Sequence, residues 1–123
     1  MAHDAANHHR IDYIELAAPD LGAAKAFYTE TFGWSFTDWG DEYTAFNDGN
    51  LDGGIRRGAA AEGGPLVILF STDLERSAAA VAANGGSIVA PIFSFPGGRR
   101  FHFKDPSGNV LAVWSDRDPV AAT

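Results

Sequence analysis

The sequence predicts an α+β fold in which two βαβββ modules form an open, cup-shaped mixed sheet. Two observations lead to this prediction. An aspartate followed by leucine and a helical pattern occurs twice, at Asp20 and Asp73, which lie 53 positions apart. After each helical stretch the chain changes to three short apolar segments bounded by Gly, Asn, Asp and Pro, a pattern typical of antiparallel strands. The repeat of strand, helix and three strands therefore divides one domain into two similar halves.

The first module covers residues 11–57. It begins with a strand at 11–16, and Asp20 is a suitable N-cap for the helix that follows. Apolar residues continue at helical spacing to Phe32, and Gly33 is a typical residue beyond a helix C-terminus. Three strands follow, at 34–38, 43–47 and 51–56.

The second module covers residues 66–116 and repeats this order. Its first strand is the apolar stretch 66–70, Asp73 caps an alanine-rich helix, and the helix ends at Asn84-Gly85-Gly86. The offset of 53 positions also pairs Gly33 with Gly86. Three strands follow at 87–93, 99–104 and 109–114. The remaining segments are a flexible N-terminal tail at 1–10, a linker at 58–65 and a C-terminal tail at 117–123.

Composition limits the possible partners. The 123 residues contain 9 Lys+Arg and 16 Asp+Glu, a formal net charge of −7, so neither nucleic acid nor an anionic membrane is an expected partner. There is no cysteine, no apolar run long enough for a membrane span, and no leader pattern in the first ten residues. We therefore expect a cytoplasmic protein.

His3, His8 and His9 can bind a metal, but we favour a mobile tail because nothing nearby fixes their geometry.

One helix covers only one face of a four-stranded sheet, so the opposite faces are expected to form a concave surface. Strand alternation places Tyr13 and Glu15 on one face, and the apolar Ile14 and Leu16 on the face that packs on the helix. In the second module, Phe101 and Phe103 are assigned to the core. The residues then left to line the cup are Leu66, Ile68, Arg100, His102, Ala112 and Trp114.

Several residues are recognisable as a pattern. Residues 19–28 (PDLGAAKAFY), then Phe32-Gly33-Trp34, then residues 105–109 (Asp-Pro-Ser-Gly-Asn) resemble the vicinal oxygen chelate superfamily. That superfamily includes glyoxalase I, bleomycin-resistance proteins and extradiol dioxygenases. The resemblance covers about residues 11–116. It implies two βαβββ modules, a ligand site in an open sheet, and a homodimer.

The resemblance also implies positions for metal ligands, and these can be checked one by one. The usual first-strand histidine falls on Tyr13, its counterpart in the second module on Leu66, and the usual glutamate after the Asp-Pro-x-Gly-Asn run on Ala112. The strand expected to supply the fourth ligand has Gly53, Gly54 and Ile55 in its middle. Since these side chains are not the carboxylate or imidazole ligands of divalent metals, the sequence is similar to a metal-poor branch, and we expect no cofactor.

Two residues, Glu15 and His102, are candidates for catalysis. Glu15 among apolar side chains can act as a general base when Arg100 or His102 pairs with it, or it is simply a solvated or ion-paired residue. His102 is a candidate for the same chemistry, or a structural strand histidine. Tyr13 serves as a cavity wall or as an acid.

Aromatic residues near the first hairpin form a second group of candidates. Trp34, Trp39 and Phe46, with Tyr43 beside them, are able to stack on a ligand ring, and core or dimer contacts are the alternative.

These observations favour a small-molecule-binding, glyoxalase-like and bleomycin-resistance-like protein that is homodimeric, metal-free and selective for an aromatic or partly apolar ligand. Whether it is an enzyme stays open at this point. The alternative is a metal-dependent lyase, isomerase or dioxygenase of the same superfamily, with Glu15 and His102 as its nearest ligands. A third interpretation, an interaction domain without a ligand, predicts a cavity filled by Trp34, Trp114 and Phe70.

Overall fold

A computed structural model describes residues 5–60 and 64–119. The first half contains β1 (Ile11–Ala18), α1 (Leu21–Phe32), β2 (Ser35–Asp38), β3 (Tyr43–Asn47) and β4 (Asp52–Arg57). The second half contains β5 (Leu66–Phe70), α2 (Leu74–Ala83), β6 (Ser87–Phe95), β7 (Gly98–Lys104) and β8 (Val110–Ser115), and a short 3-10 helix lies at Ala5–Asn7. Both halves have the predicted order of strand, helix and three strands.

The chain forms two compact units. The first unit is residues 12–67, and the second is residues 68–119 together with 5–11, as far as the structure describes them. In the first unit the strand order is β2-β3-β4-β1, with β1 parallel to β4 and the other pairs antiparallel. In the second unit β6-β7-β8-β5 repeats that arrangement, with β5 parallel to β8. The predicted α+β class with open, mixed β-sheet is confirmed.

The predicted helix starts are confirmed by their hydrogen bonds. The side chain of Asp20 accepts a bond of 3.0 Å from the backbone N–H of Ala23, and Asp73 accepts one of 3.1 Å from Arg76. Each aspartate satisfies an N–H group that has no partner within its own helix.

The two helices begin 53 positions apart in the sequence, but they do not end 53 positions apart. Gly33 follows α1 with φ 75°, as expected, but the left-handed glycine after α2 is Gly85, with φ 95°. The predicted end of α2 at Asn84-Gly85-Gly86 is confirmed, but Gly85 and not Gly86 is the structural counterpart of Gly33, because α2 has 10 residues and α1 has 12.

Each helix packs on one face of its own sheet. Under α2, the buried residues Leu74, Phe101 and Val113 form a core cluster. Trp34 stacks between Tyr28 and Phe46, with ring centroids 4.5 Å apart on each side. Other apolar residues of α1 are not covered within the described structure, since Phe27 is 55% and Phe32 is 62% exposed. No helix among the described residues is long and apolar enough to cross a membrane.

Strand β6 is longer than predicted and irregular. It continues to Phe95, and its register with β7 shifts between Ile88 and Ala90 and again between Ala90 and Phe93. Pro91 lies inside the second shift, and a proline cannot donate a ladder hydrogen bond. As a result, Ala90 opposes His102 and Phe93 opposes Arg100, so three steps on β6 match two on β7.

The N-terminal segment was expected to be a flexible tail, but from residue 5 on it has a defined structure and forms hydrogen bonds with residues near β5. The backbone N–H of His9 donates to the carbonyl of Phe70 (2.7 Å), and that of Phe70 donates to the carbonyl of Arg10 (3.1 Å). His8 Nδ1 accepts from the backbone N–H of Thr72 at 2.9 Å. This differs from the expected free tail because residues 8–10 extend the hydrogen bonding of β5, a pairing that local sequence does not reveal. His3, residues 61–63 of the linker and 120–123 of the C-terminal tail lie outside the described residues.

The imidazole of His9 makes the stability of the fold depend on pH. Its Nε2 lies 2.9 Å from Ser77 Oγ, and partial burial, together with the neighbouring His8, lowers the pKa of His9. A lowered histidine pKa means that the unfolded chain binds the proton more readily than the folded one. The folded protein is therefore most stable above the pKa that His9 has in the unfolded chain. It loses this stability as the pH falls through the lower pKa that His9 has in the folded chain.

We expect the melting temperature of the wild-type protein to fall more between pH 7.5 and pH 5 than that of His9→Gln, which retains a hydrogen-bonding side chain but does not titrate. Thermal unfolding monitored by circular dichroism measures the difference. Parallel curves for the two proteins over this range would contradict the assignment.

Candidate functional site

The first candidate site is a hydrogen-bonded group of Tyr13, Glu15 and Tyr43, which we call the phenol cluster. It lies on the sheet face of the first unit that α1 does not cover. Tyr13 and Glu15 come from β1, as alternation predicts, and Tyr43 comes from β3. The Tyr13 and Tyr43 hydroxyl oxygens are 2.6 Å apart, and the Tyr43 hydroxyl donates to Glu15 Oε2 at 3.2 Å. The structure thus connects two predicted site residues through a third.

Burial controls the electrostatics of this cluster. Glu15 is only 9% exposed. The pKa of Tyr43 is raised far above that of a free phenol, first by burial and then by its hydrogen bond to Tyr13 and by the nearby Tyr13 and Glu15 groups. Burial and a neighbouring negative charge both disfavour the phenolate. Tyr43 therefore keeps its proton at neutral pH and serves as a hydrogen-bond donor.

Gly54 makes room for the two phenol hydroxyls. It lies on β4 between Glu15 on β1 and Ala45 on β3. A Cβ atom at this position would lie 1.8 Å from the Tyr43 hydroxyl oxygen and 2.5 Å from that of Tyr13, far below contact distance. The side chains of the cluster therefore occupy the space that any other residue at position 54 would fill.

We expect Gly54→Ala to lower the free energy of unfolding by about 1–3 kcal/mol, the usual cost of overpacking a well-packed site. Chemical denaturation measures it. Gly22→Ala is the matched control, because a Cβ there would meet only Asp20 Oδ1 at 3.4 Å. The cost of Gly54→Ala should shrink in a Tyr43→Val background, where the phenol ring is absent. An equal cost in both backgrounds would contradict this explanation.

The second candidate site lies on the uncovered sheet face of the second unit. We call it the aromatic–cationic cluster and define it as Phe93, Phe95, Arg100, His102 and Trp114. The Arg100 guanidinium carbon is 5.4 Å from the Phe93 ring centroid and 5.6 Å from that of Phe95, within the range of cation–π contacts. His102 lies 5.7 Å from Phe93, and Trp114 lies 6.3 Å from Phe95, between ring centroids. Arg100, His102 and Trp114 were predicted for this face, and the structure brings them together.

Phe93 and Phe95 belong to this cluster although the sequence alone did not predict them as site residues. Simple alternation along β6 pairs Ala90 with Ile92, not with Phe93, whereas the irregular register moves both phenylalanines to the Arg100 face. The proline inside the strand was the available signal, since proline within a strand often marks a bulge.

Arg99 and Arg100 have different surroundings. The two terminal nitrogens of the Arg99 guanidinium donate hydrogen bonds to the carboxylate of Glu75 on α2. Arg100 lies on the opposite face of the strand, among the aromatic rings. Only Arg100 therefore belongs to the uncovered face that was expected to hold a ligand.

The remaining predicted ligand-binding residues are distributed differently. Ile68 and Ala112 are register partners and are buried, at 2% and 0% exposure, so they form the floor beneath the aromatic–cationic cluster. Leu66 begins β5 and is half-buried. The structure does not bring the hairpin aromatics to the uncovered faces. Trp34 and Phe46 stack under α1, and Trp39, at 66% exposure, lies in the turn after β2.

The residues present do not fit a divalent metal at the positions that the fold implies. Tyr13 is hydrogen-bonded to another phenol, Gly54 has no side chain, and Ala112 has only a methyl group. Within residues 5–60 and 64–119, no three His, Cys, Asp or Glu side chains lie close enough to hold a metal ion. The chemistry of the described donors is that of phenols, one carboxylate, one imidazole and one guanidinium.

The comparison with known proteins identifies the family. A sequence model of the Glyoxalase/Bleomycin resistance protein/Dioxygenase superfamily matches residues 10–113. This chain belongs to that superfamily, as the motifs at residues 19–34 and 105–109 indicated.

One curated protein is similar to the chain in sequence, and two solved structures are similar to it in fold. The Streptomyces sp. (strain C5) protein named "Anthracycline biosynthesis protein DauV" is 32% identical, over 83% of this chain and 45% of its own length. A superfamily member from Vibrio splendidus is 17% identical, with a TM-score of 0.65, over 86% of this chain and 97% of that one. The Mn(II)-bound glyoxalase from Novosphingobium aromaticivorans is 23% identical, with a TM-score of 0.63, over 93% and 43%.

These two solved structures show the shared fold alone. The chain spans about half the length of the curated relatives it matches.

Proposed function

We propose that this chain is a small-molecule-binding member of the superfamily that works without a metal and takes a planar aromatic or partly apolar ligand. The ligand lies on the sheet face of the second unit that α2 leaves uncovered. The observation that carries this proposal is the aromatic–cationic cluster, in which one guanidinium and one imidazole lie among three aromatic rings.

The chemistry of that cluster favours a specific kind of ligand. Aromatic side chains contact flat apolar molecules over a large area with little loss of conformational freedom. Arg100 adds donors that match a carboxylate, a phenolate or a carbonyl oxygen, and its position between Phe93 and Phe95 restricts its orientation. A planar ring system with an acidic or carbonyl edge satisfies both features.

The name of one relative supports the same class of ligand. The Streptomyces protein at 32% identity is named for anthracycline biosynthesis. Anthracyclines are fused-ring aromatic compounds with carbonyl and hydroxyl groups, which are the features that the aromatic–cationic cluster suits.

We expect Arg100→Met to weaken the binding of 2-naphthoate roughly tenfold, because a charge-assisted hydrogen bond is lost while the aliphatic contact is kept. Binding of 2-methylnaphthalene, which has no charge, should change little. Nuclear magnetic resonance titration of both compounds measures the dissociation constants. Arg57→Met, at an exposed position on β4, is the control and should leave both constants unchanged. Equal weakening of both ligands would contradict the role given to Arg100.

The second candidate function is a metal-dependent lyase, isomerase or dioxygenase. Only the chemistry of Glu15 and His102 favours it, since each supplies one ligand of a type that divalent metals accept. On our proposal, protein purified without chelators and dialysed against Zn²⁺, Mn²⁺, Ni²⁺ or Fe²⁺ holds far less than one ion per chain by mass spectrometry. A stoichiometric ion that is lost in both Glu15→Gln and His102→Gln would establish the alternative instead.

The proposal extends to assembly and location. We expect a homodimer, as family resemblance implies, and a cytoplasmic protein. Analytical ultracentrifugation of the purified chain at micromolar concentration tests the first expectation, and a single species of monomer mass would contradict it.

A further inference from the structure

Positive charge is concentrated on one strand of the second unit. The chain as a whole is acidic, with 16 Asp+Glu against 9 Lys+Arg. Within the part of the chain that the structure describes, however, strands β5, β6, β7 and β8 contain no Asp or Glu, and every Arg, Lys and His of these strands lies on β7. An anionic ligand on this sheet therefore meets cationic side chains and no carboxylate from the strands beneath it.

Alternation along β7 places a cationic side chain at each end of a row on the uncovered face. Phe101 and Phe103 belong to the core that packs under α2. Arg100, His102 and Lys104 therefore lie on the opposite face of the strand. Residues four apart in a strand are separated by about 13 Å, so Arg100 and Lys104 are too far apart to contact the same acidic group of a ligand.

The Lys104 end of this row is open to water. Lys104 is exposed, and its register partner on β8, Val110, is 45% exposed. The carboxylate next in sequence, that of Asp105, accepts from the backbone N–H groups of Ser107 and Asn109 at 2.9 Å each, within its own turn. Among residues 5–60 and 64–119, no carboxylate forms an ion pair with Lys104. Its ammonium group is thus available to a ligand.

The middle of the row leaves a path between the two ends. His102 has an alanine on each side in the sheet, Ala112 on β8 and Ala90 on β6. Arg100 instead has an aromatic residue on each side. The neighbouring strands therefore place bulky side chains beside the Arg100 end only, and a flat ring system can lie along β7 from there towards Lys104.

We propose that Lys104 is a specificity-determining residue that binds a second acidic group of the ligand, so that this face prefers elongated aromatic diacids to monoacids. The first acidic group contacts Arg100, and the flexible side chain of Lys104 reaches the second. This inference rests on the proposed function, because it specifies the class of ligand that the same face takes.

The experiment compares biphenyl-4,4′-dicarboxylate, whose carboxylates lie at opposite ends, with biphenyl-4-carboxylate, which has the same rings and one acidic group. Nuclear magnetic resonance titration of the whole chain gives both dissociation constants, and we call their ratio the diacid preference. A symmetrical diacid offers either end to Arg100, so the preference is measured relative to that of Lys104→Met, in which this statistical factor is unchanged.

We expect the diacid preference of the wild-type protein to exceed that of Lys104→Met about twofold to fivefold, the usual effect of an ion pair at an exposed position. The difference should shrink at high salt, because salt screens exposed charges. Lys104→Arg should keep the wild-type preference, since it retains the positive charge, and loss of the preference in this variant would contradict the role given to that charge.

Arg76→Met is the matched control. Arg76 is an exposed residue of α2, on the other side of the sheet, so this variant loses the same charge without changing the uncovered face. Its diacid preference should equal that of the wild-type protein.

The outcomes separate the two proposals. If the wild-type protein binds both compounds with the preference of Lys104→Met, the role of Lys104 is overturned while the proposed function stands. The same follows if Arg76→Met lowers the preference as much as Lys104→Met, because overall charge is then the cause. If neither compound binds, the proposed function fails and this inference fails with it. Lys104→Gln gives the same comparison if Lys104→Met does not fold.

Discussion

Among the residues that the structure describes, each unit has a four-stranded sheet and a single α-helix, and the rest of the structure depends on the sheet face that this helix leaves uncovered. A sheet has two faces, and a single helix removes only one of them from water. Alternation then divides every strand into side chains that pack on the helix and side chains that do not. In the second unit, Phe101 and Val113 are side chains that pack on the helix. Arg100 and His102, on the same hairpin, are side chains that do not. The candidate chemistry lies where the helices are absent.

On the uncovered face of the first unit, the absence of a side chain at Gly54 leaves room for the phenol cluster. Gly54 replaces a residue whose Cβ atom would collide with Tyr43, and Tyr43 in turn connects Glu15 to Tyr13. The middle of β4 thus has room for the two phenol hydroxyls. The absence of a side chain at this position makes room for a hydrogen-bonding group.

Local patterns in the sequence predicted most of the fold and part of the site. Both aspartate caps and the shared face of Tyr13 and Glu15 follow from short-range rules, which depend on the identity of neighbours in the chain. The link through Tyr43 does not follow, because it depends on how β3 and β1 align on either side of β4. The place of Phe93 was also hidden, since the irregular register around Pro91 changes which residues of β6 share a face.

The residues of the phenol cluster depend on one another for their hydrogen bonds. Glu15 and Tyr43 are mostly withdrawn from water, and a buried polar group that loses its partner costs about 1–3 kcal/mol. Each member of the cluster satisfies the next, so the three residues are stable as a unit and costly when one is removed. Packing alone does not require a carboxyl group here, so the burial of Glu15 against Tyr43 shows that hydrogen bonding, and not only apolar contact, holds this face together.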